Sequence, residues 1–275
     1  MKDVRHRRAA MQESPPIVVV FAATDPTGGA GLAADILAIS CTGCHPAPVV
    51  TAITIQDTQG VKGVVPLDAS LIEEQARALL EDMPVSAFKV GLAASAEAVA
   101  VISEILADYP QVPLVVDPVL ASGGGDTLMD DEAMDALTEL LIPQASIITP
   151  NSIEARRLAG DTSLDVAGAA QALLGLGAPY VLVTGTHEPG EKVVNTLFGE
   201  GLPPRHWRWE RLQGSFHGSG CTLAAAIASV LAQGAEMEEA VEEAQEYTWH
   251  TLKHAFVPGV GQAIPNRPFW LQEEE

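Results

Sequence analysis

The residues whose types and spacing could do chemistry fall just after apolar runs. Gly218-Ser219-Gly220-Cys221-Thr222 opens the apolar stretch 223–232. Small residues at a helix start leave backbone N–H groups without intrahelical partners, at the positive end of the helix dipole. Such a turn is an anion hole fit for a phosphoryl group in transfer. A thiol in the first turn is expected to have its pKa drawn below the usual value of about 8.5. Cys221 then reads as a base, or as a group that orients an attacking hydroxyl. A glycine-rich packing turn with a buried cysteine fits the same residues, and the motif alone leaves both readings open.

Thr149-Pro150-Asn151-Ser152-Ile153-Glu154 sets an amide and a carboxylate three residues apart, on one face of a helix start. Asp117, at the end of the preceding strand, could join Glu154 in holding Mg²⁺ through water. A helix cap with a first-turn glutamate explains Asn151 and Glu154 equally simply. Asp25-Pro26-Thr27-Gly28-Gly29-Ala30-Gly31, followed by Asp35, is lean enough for backbone to approach a ligand closely. It lacks both the G-K-[ST] ending of a P-loop and the G-x-G-x-x-G spacing of a dinucleotide fold. Asp35 could accept a hydrogen bond from that ligand, and a tight strand-to-helix turn is the alternative.

The elements that must position these residues follow from apolar periodicity. Strands are expected at 17–23, 48–55, 86–90, 113–116, 145–149 and 180–184. Helices are expected at 30–40, 70–82, 96–108, 130–141, 153–159, 166–175, 220–232 and 237–255, with a β-hairpin of 192–198 and 205–212 near the sheet edge. Strands alternating with helices imply a mainly parallel sheet covered by helices on both faces, an α/β fold of three layers. Ligands then bind beyond the carboxyl ends of the strands, where each of the motifs above lies.

The composition agrees. Of 275 residues, 47% are hydrophobic and only 5% aromatic, a mix suited to helices packed closely on a buried parallel sheet. The formal net charge of −21 argues against nucleic acid or a membrane surface as the main partner. It leaves room for a nucleotide held by loop amides and Mg²⁺. The acidic patches 236–246 and 273–275 read as solvated faces. No segment has the roughly 20 apolar residues of a membrane span. Residues 1–15 read as a disordered leader without a cleavage site, 16–272 as one domain, and the protein as cytoplasmic. Cys41-Thr42-Gly43-Cys44-His45 matches a haem-attachment spacing, but without export or a second cysteine pair it reads as an incidental helix-end loop.

Taken together and in order, these motifs resemble the ribokinase-like fold, and within it the hydroxymethylpyrimidine/phosphomethylpyrimidine kinases of thiamine biosynthesis. The carrying stretches are Thr24 through Gly31 with Ala34-Asp35, Thr51 through Thr58, Lys89-Val90-Gly91-Leu92, Asp117-Pro118-Val119, Ile148 through Asn151 with Glu154-Ala155, and Gly218 through Leu223. The resemblance implies ATP- and Mg²⁺-dependent phosphorylation of 4-amino-5-hydroxymethyl-2-methylpyrimidine, then of its monophosphate, by a homodimer. It implies that Gln56 holds the pyrimidine, since an amide offers donor and acceptor at once. Ala30, Gly31, Asp35, Leu92 and Val119 would line the same pocket. Gly218, Ser219, Gly220 and Cys221 would hold the migrating phosphoryl, with Asn151, Thr184, Gly185 and Gly220 at ATP and Asp117 and Glu154 at the metal.

Two departures from the family pattern stand out. Family members often carry a lysine in the stretch matching 121–125 and another at the position of Thr184, and this chain has neither. Stronger dependence on Mg²⁺, or partial replacement by His187, is the expected consequence. The rival readings are a pyridoxal kinase with the cysteine version of the loop and a ligand-sensing homologue without turnover.

Overall fold

The computed structural model describes residues 14–122 and 125–272. The leader, apart from its last two residues, lies outside them, as do Gly123, Gly124 and the acidic patch 273–275. Nine strands are described: β1 (Ile17–Thr24), β2 (His45–Asp57), β3 (Gly60–Pro66), β4 (Val85–Val90), β5 (Leu114–Val116), β6 (Ile147–Ile148), β7 (Tyr180–Val183), β8 (Lys192–Gly199) and β9 (Arg205–Glu210). They make one sheet in the order β3-β2-β1-β4-β5-β6-β7-β8-β9. From β2 to β7 every neighbouring pair is parallel, and β3, β8 and β9 add on by antiparallel pairing.

Helices cover both faces, as the alternation required. They are α1 (Gly31–Cys41), α2 (Ala69–Asp82), α3 (Ala96–Ala107), α4 (Asp131–Ala136), α5 (Ser152–Leu158), α6 (Val166–Leu174), α7 (Ser219–Ala232) and α8 (Met237–Lys253). Strand β1 shows why a continuous apolar run is needed. Its side chains point alternately to the two faces, so Val19, Phe21 and Ala23 join one core with α2 to α6. Val18, Val20 and Ala22 join the other with α1, α7 and α8. Alanines in α7 bring that helix close to the sheet, and nine of its residues are buried. From the acidic face of α8, Glu238 and Glu242 reach Arg205.

Three local readings change. Strand β3 is not legible in the sequence, because it returns from β2 through Thr58-Gln59 rather than an Asn-Gly type of turn. Asp57 Oδ1 makes that turn by accepting from Gln59 N at 2.9 Å. The helix expected at 130–141 is α-helical only to Ala136 and continues as a π-turn over Leu137–Leu141. A 3₁₀ turn with Pro143 in its first positions follows, and proline has no N–H with which to prolong the α-helical ladder. The strand expected at 145–149 narrows to Ile147–Ile148. The C-x-x-C segment forms the link between α1 and β2, with Gly43 at φ +90° and the Cys44 thiol donating to Ser229 O at 3.4 Å.

Candidate active site

Two glycine loops meet over the carboxyl ends of the parallel strands. The first follows β1 and is organised by Asp25, which is 6% exposed. Its Oδ1 accepts from Thr27 N at 2.8 Å, and its Oδ2 accepts from Ala30 N at 2.7 Å and contacts His217 Nε2 at 2.9 Å. Burial works against this charge, but His217 and the amides outweigh it and hold the carboxyl below its ordinary range. The second loop precedes α7. Gly218 sits at φ +82°, and a Cβ there would stand 1.9 Å from Gly29 O, so the position needs glycine for both conformation and space. The first helical amide with an intrahelical partner is Thr222 N, to Gly218 O at 3.0 Å. The amides of Ser219, Gly220 and Cys221 come before it, and all three residues border the cavity.

Beneath the turn lies a charged cluster that sequence reasoning missed. Lys89 is fully buried in β4, with Nζ 3.0 Å from Asp35 Oδ2 and 4.0 Å from Asp117 Oδ2. Burial disfavours the ammonium, but Asp35, Cys221 and Asp117 reverse that and raise its pKa. A signal was present, since a lone lysine in an apolar strand must find a counter-charge. Asp35 was expected against the substrate. It lies instead behind the cavity wall, 0% exposed, and serves as the partner of Lys89. Burial pushes its carboxyl up to about 6. Burial also pushes the Cys221 thiol up to about 12, against the pull of Lys89. The lowered pKa expected from the helix start does not survive, because desolvation of a thiolate beside two carboxylates exceeds what the amides return.

Asn151 and Glu154 form a complete capping box at the start of α5. Asn151 Oδ1 accepts from Ile153 N and Glu154 N, while Glu154 Oε2 accepts from Asn151 N at 2.9 Å. Both side chains nonetheless border the cavity with Asp117, so the cap and the site are one arrangement. Asp117 Oδ2 and Thr149 Oγ1 are buried without hydrogen-bond partners among the described residues. Burial raises the pKa of Asp117, and burial together with Asp117 pushes Glu154 up to about 8. A buried Asp117 with an orphaned oxygen beside a partly buried Glu154, each held towards its protonated form, suits a divalent cation.

A pH effect follows for the ligand-free protein. Folded Asp35 and Glu154 keep protons up to about pH 6 and 8, whereas the unfolded chain releases them near about pH 4. Between those limits the folded state binds more protons, so stability falls as pH rises. Thermal melts should give a midpoint that drops from about pH 5 to 8, and Glu154→Gln should flatten the upper part of that fall. A midpoint rising through this window would contradict the assignment.

The cavity, of about 1070 Å³, runs along the strand ends. Ala30, Gly31, Gln56, Leu92 and Val119 border it on the side of β2, β1, β4 and β5. Gln56 Nε2 donates to Thr54 Oγ1 at 2.7 Å, which orients the amide. Residues 218–221 border it at the start of α7, which packs against β4 and β5. Towards β9 the wall carries Thr184, His187 and the Trp209 and Trp249 rings, stacked at 6.2 Å. Gly185 is not on the wall. Its N–H donates to Asn195 Oδ1 at 3.0 Å, and a Cβ would stand 2.2 Å from Val194 O, so its smallness serves packing on β8.

A mainly parallel sheet under helices on both faces, with a glycine turn over one long cavity at its strand ends, is the architecture of the ribokinase-like kinases that this chain resembles in structure. Within that class, residues 25–266 match the phosphomethylpyrimidine kinase family, and the chain belongs to it. The hydroxymethylpyrimidine/phosphomethylpyrimidine kinase of Streptomyces coelicolor is 38% identical over 253 residues, covering 90% of this chain and 93% of that protein. A probable thiamine biosynthetic bifunctional enzyme of Oryza sativa, described as chloroplastic, is 38% identical over 267 residues, and the chain spans 48% of its length. Among solved structures, Bacillus subtilis pyridoxal kinase in an ADP complex superposes with a TM-score of 0.87 at 28% identity, covering 94% of this chain and 99% of that one. Phosphomethylpyrimidine kinase from Clostridium difficile 630 gives 0.74 at 37% identity, covering 85% and 97%.

Proposed function

We propose that this chain transfers the γ-phosphate of ATP to the hydroxymethyl group of the thiamine-pathway aminopyrimidine, and then phosphorylates the resulting monophosphate. The observation that carries this reading is one continuous cavity bordered by Gln56 on β2, by the amide turn 218–221 of α7, which packs against β4 and β5, and by Thr184 and His187 after β7, in that order across the sheet. The pyrimidine lies against Gln56, Leu92 and Val119, which points its hydroxymethyl group at the turn. The amides of Ser219, Gly220 and Cys221 receive the charge that spreads over the phosphoryl oxygens. The nucleotide extends past Asn151 and Thr184 towards His187.

Cys221 stays a thiol at neutral pH and orients the attacking hydroxyl rather than removing its proton; a loose phosphoryl-transfer transition state asks little of a base. Lys89, buried beside Asp117, supplies charge near the turn in a chain that lacks the two family lysines. Mg²⁺, held by Asp117 and Glu154, would neutralise charge on the ATP phosphates. Gln56→Ala should raise KM for the pyrimidine by about 10- to 100-fold with a smaller effect on kcat, because it removes ground-state binding. Steady-state kinetics at saturating ATP would check it, and an unchanged KM would remove Gln56 from the recognition of the ring.

The experiment that tests the reading measures ADP release with hydroxymethylpyrimidine, its monophosphate and pyridoxal side by side, with and without Mg²⁺. Turnover of both pyrimidines supports it. A second reading, pyridoxal kinase, is favoured by the higher TM-score to the B. subtilis pyridoxal kinase, and predominant turnover of pyridoxal would select it. Release of ADP with none of the three would favour the ligand sensor. A cytoplasmic homodimer completes the proposal. Exposed Ile53, Ile55 and Val65 on the β2–β3 ribbon are the apolar surface that supports self-association, which sedimentation measures.

A further inference from the structure

We propose that Arg267 is a positioning residue for phosphoryl transfer: a buried cation that ties the two glycine loops together and strengthens the amides facing the phosphate. The inference rests on the kinase reading above. Arg267 is 1% exposed. A buried charge is ordinarily paired with an opposite one, and this chain has 36 acidic residues to choose from. Yet none of the ion pairs among the described residues includes Arg267. Its guanidinium donates to Gly29 O at 2.6 Å, Gly28 O at 3.3 Å and Thr222 Oγ1 at 3.1 Å. Asp25 and Asp35 act on it from further away, but the first is taken by His217 and loop amides and the second by Lys89. Carbonyl dipoles solvate the guanidinium without cancelling its charge.

The partners place that charge at the junction of the loops. Gly28 and Gly29 belong to the first, and Gly29 O is the atom against which Gly218 packs. The Thr222 hydroxyl, having accepted from Arg267, donates to Gly218 O at 2.8 Å. That carbonyl shares its peptide unit with the N–H of Ser219, which borders the cavity. Hydrogen bonds in series polarise one another, so the chain from Arg267 through Thr222 and Gly218 makes Ser219 N–H a stronger donor. The counter-charge missing from the resting protein arrives with the phosphate.

The test compares Arg267→Lys, which keeps the charge, with Arg267→Gln, which keeps hydrogen bonding without it, each assayed well below its own melting midpoint. Arg267→Gln should lose about 30-fold or more in kcat with little change in KM for the pyrimidine, and should lose the rise in melting temperature caused by inorganic pyrophosphate. Arg267→Lys should keep most of both. A Gln variant that equals or exceeds the Lys variant in both readouts would overturn the proposal, since a bracing role alone follows stability and not charge. Thr222→Val, which leaves the guanidinium on its glycine carbonyls, should lower kcat severalfold, and an unchanged kcat would overturn the polarised chain. If wild type binds pyrophosphate but phosphorylates none of the three substrates, the kinase reading fails. The Arg267 comparison is then still decided by the pyrophosphate shift.

Discussion

Gly218→Ala is expected to lower kcat by about 10²- to 10³-fold, the range seen when a preorganised anion donor is displaced. The added methyl meets Gly29 O at 1.9 Å and must be accommodated at φ +82°. The left-handed conformation alone costs an L-residue about 1–2 kcal/mol, and relief of the clash separates the two loops. The amides of Ser219, Gly220 and Cys221 then no longer converge where the phosphoryl passes. KM for the pyrimidine should change less than kcat, since Gln56, Leu92 and Val119 are not among the atoms that the added methyl meets. Parallel measurement of kcat, KM and melting midpoint decides the matter. A variant with normal kcat would show that the turn does not carry phosphoryl transfer.

Lys89→Met is expected to cost about 3–5 kcal/mol of stability, because it leaves Asp35 and Asp117 buried without their cation. Turnover should fall strongly at any temperature where the variant remains folded. The double variant Lys89→Met/Asp35→Asn removes both members of the closest pair, and should recover much of the lost stability, as neutral replacement of a buried ion pair often does. It should not recover kcat, since the positive charge beside Asp117 and the phosphate turn is still missing. Chemical denaturation of both variants with steady-state kinetics separates the two roles. Recovery of turnover in the double variant would confine Lys89 to folding.

The pattern of elements was legible because it is written in short range. The run 17–23 is apolar throughout since β1 is covered on both faces, and the motifs stand at strand ends because parallel strands leave their carboxyl ends free. The glycines of 218–220 were readable for the same reason, since a lean turn before an apolar helix has few uses. Strand β3 was not, for its turn depends on an Asp57 side chain rather than on a glycine-rich signature. In sequence the capping box of Asn151 and Glu154 is an alternative to a ligand site; in the fold the two side chains form that cap and also border the cavity.

By itself the sequence determined the alternation of strands and helices apart from β3, the glycine turn before α7 and the set of motifs that mark the family. Tertiary structure decided the electrostatics. Lys89 meets Asp35 across 54 positions, His217 meets Asp25 across 192, and Arg267 reaches Gly29 across 238. Local patterns cannot record such meetings, because chain closure over those distances is settled by packing of the whole sheet. Desolvation, which moved the Cys221 thiol opposite to its expected direction and raised the Asp35 carboxyl, exists only once that packing has excluded water.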